Sequence, residues 1–249
     1  MGEYRLVWHD EFDYEGIPDP RKWGYDIGAG VWGNEESQYY TNRPENAFVR
    51  NGSLFLTARR EDWNGSGYTS ARLVTFGKAS WKYGRFEVRA KLPRGAGSWP
   101  AIWMLPDDIR SGVPWPDCGE IDVMEHVGKD ENMVHVSLHS RLYNHILHTQ
   151  RTHFEPLEDV TRQFHTYGLE WTDQHIRFLF DGRPVAEFSK GENGTDASPD
   201  GWPFDKPYHL ILNIAVGGFW GGKVDESALP FTMEIDSVRV YQPAQTGNG

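Results

Sequence analysis

The sequence predicts an all-β fold, a β-sandwich or jelly roll of two stacked antiparallel sheets. Composition, periodicity and turn chemistry each point there. Eleven Trp, eleven Tyr and thirteen Phe accompany 27 Gly and 15 Pro, a mixture suited to short strands joined by tight turns. Period-two alternation recurs, most clearly where Phe86, Val88, Ala90 and Leu92 alternate with Arg85, Glu87, Arg89 and Lys91, which describes a strand with one wet face. Asn51-Gly52 and Asp181-Gly182 each separate two apolar runs, and both dipeptides favour the positive-φ pair of a two-residue hairpin.

In chain order, further strands are expected at Leu6 to Trp8, Trp99 to Leu105, Ile121 to Glu125 and Val134 to His139, then at Tyr167 to Trp171, His209 to Val216 and Ile235 to Tyr241. Helical periodicity is absent beyond one turn at Glu158 to Gln163. Strands this dense without intervening helices imply antiparallel pairing. Arg141 to Pro156 and Gly191 to Phe204 read as surface loops. With no repeat and no shift of composition, residues 1–242 read as a single catalytic domain and 243–249 as a tail or linker.

A formal charge of −11 opposes binding to nucleic-acid phosphates and anionic membranes, and a monomer is expected. No apolar run is long enough to span a bilayer, and the first residues lack the pattern of a signal peptide. A lone Cys118 excludes an internal disulfide and leaves the redox compartment open.

Chemistry concentrates in Gly119-Glu120-Ile121-Asp122-Val123-Met124-Glu125-His126. On a strand, Ile121 and Val123 enter the core while Glu120 and Asp122 share the opposite face. Strict alternation would send Glu125 inward, and a β-bulge at Val123-Met124 returns it to the side of Asp122. Like charges this close cannot all ionise at neutral pH, so at least one carboxyl pKa must rise. Hydrolysis of a glycosidic bond needs that division of labour: one acid protonates the leaving oxygen and one carboxylate attacks the anomeric carbon. A solvated acidic face, with Glu120 paired to Arg72 or Arg89, is the plain alternative.

The same run, Glu120-Ile121-Asp122-Val123-Met124-Glu125, resembles the bulged E-x-D-x-x-E signature of glycoside hydrolase family 16. Trp8-His9-Asp10-Glu11-Phe12, Trp32-Gly33-Asn34-Glu35, Tyr83-Gly84-Arg85-Phe86-Glu87, Trp99-Pro100-Ala101-Ile102-Trp103-Met104 and Asn213-Ile214-Ala215-Val216-Gly217-Gly218 extend the resemblance over about residues 5 to 242. These blocks look like the bacterial laminarinases, the endo-β-1,3-glucanases of that family. The resemblance implies a retaining enzyme that cuts internal β-1,3 bonds of laminarin-like glucans, including mixed β-1,3/1,4 chains, and that acts outside the cell. It makes Glu120 the nucleophile, Glu125 the general acid and base, and Asp122 the carboxyl that tunes the nucleophile. It also implies sugar contacts from Asn34, Arg72, Trp99, Trp103 and Trp115, a supporting role for Glu35, and His139 near the leaving group, although Ser140 stands where the family often has an aromatic.

No cofactor is expected for catalysis. The resemblance implies a structural calcium on the Glu11 carboxylate, the Gly52 carbonyl and Asp236, since oxygen donors suit that ion; ordinary strand-end acids fit the same residues. His135 and His139, four apart on a strand, lie roughly 13 Å from each other and cannot share a zinc, whose bonds to nitrogen are about 2.0–2.1 Å. Cys118 reads as packed and unreactive. Two other functions stay open at this point: a glucan-binding lectin on the same fold, and a family 16 hydrolase of agarose, carrageenan or galactan.

Overall fold

The computed structural model describes residues 4–244; the expected tail lies, from residue 245 on, outside the described residues. The first strands are β1 (Tyr4–Asp10), β2 (Gly24–Tyr25), β3 (Gln38–Tyr40), β4 (Ala47–Arg50), β5 (Ser53–Trp63), β6 (Ser66–Ser70), β7 (Arg72–Val74) and β8 (Gly84–Lys91). There follow β9 (Ser98–Pro106), β10 (Glu120–Glu125), β11 (Met133–His139), β12 (Arg151–Pro156), β13 (His165–Trp171) and β14 (His175–Phe180). The last are β15 (Arg183–Ser189), β16 (Tyr208–Val216) and β17 (Phe231–Pro243), with one short helix, α1 (Gly218–Gly221), after β16.

They form two sheets. One has seven strands in the order β12, β11, β10, β9, β16, β7, β2; the other runs β15, β14, β13, β8, β17, β5, β6, β3, with β1 paired to β17 and β4 to β5. Pairing is antiparallel except between β3 and β6, which run parallel. A single large apolar cluster joins the two sheets, with Val88 and Val240 from one and Ile121 and Leu212 from the other. The jelly roll read from the sequence is the fold observed.

Strand β8 buries Phe86, Val88 and Ala90, as its alternation requires. Asn51 and Gly52 (φ 51° and 77°) and Asp181 and Gly182 (φ 50° and 76°) adopt the positive-φ pairs of hairpin turns, and Asn64-Gly65 turns a third between β5 and β6. Strand β16 is buried along its whole length. Leu210, Leu212, Ile214 and Val216 enter the core, while the residues between them face away from it and are covered by the site described below.

Two local expectations fail. Residues 151–156 are not loop but the edge strand β12; its outward set is Thr152 and Phe154, so its alternation points no apolar stripe at the core and gives no strand signal. Glu158 to Gln163 is a turn and not a helical element, closed by the Asp159 carbonyl, which accepts from the Arg162 and Gln163 amides at 2.8 and 2.9 Å.

Candidate active site

The expected bulge is present. Asp122 pairs with Trp103 and Met124 with Ile102, so Val123 has no partner on β9, and on β11 Asp122 and Glu125 oppose Ser137 and His135. Val123 and Met124 both enter the core. The energetic choice is clear: a lost ladder hydrogen bond costs about 0.5–1.5 kcal/mol net, whereas an ion buried in the core costs several kcal/mol. The bulge puts Glu120, Asp122 and Glu125 in one line on the outer face of the seven-stranded sheet.

His139 sits opposite Glu120. Its Nε2 lies 3.2 Å from Asp122 Oδ2 and 3.8 Å from Glu120 Oε1. Trp99 Nε1 donates to Glu125 Oε1 at 3.0 Å. Burial raises all three carboxyl pKa values. Glu120 is held well above the usual range by burial, then by the charges of Asp122 and Glu125, against which His139 acts; Asp122 is raised by burial. Glu125 is pushed up to about 8 by burial and then by Asp122, with His139 and the Trp99 N–H pulling the other way. Glu120, Asp122 and His139 are also the group that could grip a cation, their ligand atoms lying within 4.8 Å of one another.

To one side of the acids, Arg72 is clamped between two indoles, 4.7 Å from the Trp32 ring and 4.6 Å from the Trp103 ring, and its Nε donates to Asp26 at 3.1 Å. Arg110 holds the other oxygen of Asp26. Trp103 Nε1 donates to Asn213 at 2.7 Å. Trp99 and Trp103 therefore belong to the site face and not to the core. Asn34 is fixed by Glu36, which accepts from its backbone and side-chain amides, and the Asn34 carbonyl accepts from Phe219. Glu35, expected to support this loop, is exposed with φ 57°; Glu36 does the holding.

At the Glu120 end, Trp115 lies 6.0 Å from the His139 ring and 4.9 Å from His145. It is half-buried, packed on a small apolar cluster containing Val74, Leu105, Cys118 and Ile211. The aromatic company missing after His139 in sequence is supplied from these loops. Burial pushes the Cys118 thiol up to about 12, so it stays protonated and unreactive.

Sequence reasoning passed over Asp26, Asn213, His135 and Trp220 as site residues. Trp220 of α1 stands 5.3 Å from Trp99 and 4.8 Å from His135. Strand parity marks Asn213 and His135, which oppose Ala101 and Glu125. Asp26 arrives from a loop and Trp220 from the four-residue α1, and neither carries a local signal.

Two of the three residues assigned to calcium are paired with arginines. Glu11 accepts two bonds from Arg239 at 2.9 and 2.7 Å, Asp236 meets Arg89 at 3.2 Å, and Gly52 turns the β4–β5 hairpin. A cation would have to displace two guanidinium groups, so this donor set does not fit one as arranged. Chelator treatment is expected to leave the melting temperature unchanged, as scanning calorimetry can check; a fall of several degrees would show a bound ion.

A jelly roll carrying three desolvated acids in line beside a tryptophan-lined face has the groups that a glycoside hydrolase needs. The chain belongs to the glycosyl hydrolases family 16, whose family model matches residues 34–237. It is 54% identical to a beta-glucanase of Rhodothermus marinus over 245 residues, 96% of this chain and 85% of that protein. The solved laminarinase of Rhodothermus marinus superposes with a TM-score of 0.94 at 52% identity, covering 98% of this chain and 100% of that one. A non-specific endo-β-1,3(4)-glucanase of the same family, SCLam, whose mutant structure presents 1,3-β-D-cellobiosyl-glucose at its active site, gives 0.90 at 46%, covering 96% and 95%.

Proposed function

We propose that this chain is a retaining endo-β-1,3-glucanase that cuts internal bonds of laminarin-like glucans. The supporting observation is the line of three acids, Asp122 buried and Glu120 and Glu125 partly so, with Glu125 pushed up to about 8, an acid still protonated at neutral pH. Glu120 attacks the anomeric carbon, the glycosidic C–O bond breaks, and the leaving oxygen takes the Glu125 proton. Asp122, between them and beside His139, takes part in the shared protonation that leaves Glu120 ionised. Water then attacks the anomeric carbon and passes its proton to Glu125 as the C1–O bond to Glu120 breaks and frees the carboxylate. Arg72, Trp103 and Asn34 hold the sugars on the donor side.

A pure binding protein has no use for three desolvated carboxyls, whose burial opposes folding once they ionise; this weighs against the lectin reading. A polymeric substrate cannot enter a cell, which favours action outside it. The test is release of reducing ends from laminarin, lichenan, agarose and carrageenan. Laminarin is expected to give the fastest release. Release from agarose or carrageenan alone would overturn the substrate, and binding without release from any of the four would overturn the activity.

A further inference from the structure

Glu125 gives its proton to the leaving oxygen on the reading above, so the departing half of the glucan must lie against the neighbours of Glu125. Arg72, Trp103 and Asn213 fill the face on the β9, β16 and β7 side. In the other direction stand β11 and the edge strand β12, with Trp220 of α1 against His135. Register fixes what they present: Glu125 opposes His135, and His135 opposes Phe154. With neighbouring strands about 4.8 Å apart, Phe154 stands about 10 Å across the sheet from the acid.

Phe154 is 59% exposed. A single exposed aromatic is by itself ordinary, but three features set this one apart. Its ring packs on one side against His135, its cross-strand neighbour on the same face, with ring centroids 5.9 Å apart. Ser137 and Thr152 pair their hydroxyls at 3.0 Å on the same face of the same two strands, directly beside it. It also continues the row that starts at Glu125. A flat apolar ring next to paired hydroxyls suits a pyranose, which presents an apolar C–H face and a hydroxyl edge.

We propose that Phe154 is the platform for the leaving side of the chain, where the glucosyl units released first stack on its ring and bond to Ser137 and Thr152. The platform is a positioning device for the glycosidase activity proposed above and rests on that reading.

The experiment uses the partition of the covalent intermediate. An aryl β-laminaribioside loads the donor side without placing a sugar on β12. The intermediate then loses its C1–O bond to Glu120 either to water or to a hydroxyl of added laminaribiose, whose proton passes to Glu125. Only the second route needs a sugar docked on the leaving side. Phe154→Ala is expected to lower the ratio of transfer to hydrolysis about tenfold, a stacking contact of ordinary strength, while aryl release and melting temperature stay as in the wild type. Phe154→Tyr should restore the ratio. An unchanged ratio in Phe154→Ala would overturn the platform, as would a loss of self-association in sedimentation with the ratio intact, which would make Phe154 a contact between copies. A wild type that releases no aryl group would overturn the glycosidase reading, and this inference with it.

Discussion

Glu120→Ser is expected to lose more than about a hundredfold in turnover on laminarin while keeping its affinity for glucan. The nucleophile acts at one atom, whereas the contact surface lies in Arg72 between its two indoles, Trp103 and Asn34, none of which touches Glu120 through a hydrogen bond. The substitution also removes a carboxyl that burial and the charges of Asp122 and Glu125 hold above its usual range, so the variant should fold with undiminished melting temperature. Steady-state rates and titration calorimetry check both halves. Turnover above a hundredth of wild type would remove Glu120 from the role.

Glu125→Gln has the next largest effect, read through pH. In the wild type, kcat/KM should fall on the alkaline side as pH passes about 8, where Glu125 loses the proton it must donate. The acidic limb belongs to Glu120 coupled with Asp122, and lies above the ordinary carboxylate range because burial raises both and the charge of Asp122 raises Glu120 further. With an aryl glucoside whose leaving group needs no proton, Glu125→Gln should keep the acidic limb and lose the alkaline one. Survival of the alkaline limb would mean that another group is the acid.

The same variant has a stability signature. A carboxyl whose pKa is higher folded than unfolded favours the fold while protonated, and that contribution is lost as pH rises from the unfolded value towards about 8. Glu125→Gln should therefore melt with the wild type at pH 4 and above it at pH 9. Coincident melts at both values would show that Glu125 is not desolvated as described.

Strand-level information was local and readable. Alternation in β8, the Asn51-Gly52 and Asp181-Gly182 turns and the apolar run of β16 each fix backbone state through neighbours a few residues away. The bulge was readable too, because Glu125 falls on the wrong face without it and a buried ion costs more than a disturbed ladder. Strand β12 was not legible, since an edge strand with Thr152 and Phe154 outward has no core stripe to announce it.

What only the tertiary structure decided is which side chains from distant segments meet. Asp26 reaches Arg72 across 46 positions, Trp220 comes from a glycine-flanked turn to stand by Trp99, and Glu36 rather than Glu35 holds Asn34 because residue 35 takes φ 57° and turns outward. The acids at Glu11 and Asp236 found arginines, a choice set by which strands β17 lies between. The sequence by itself determined the sheets, the turns and the line of acids, since each follows from period, turn chemistry and the cost of burying charge. The company those acids keep depends on loop closure and sheet order, which act over distances that no local pattern records.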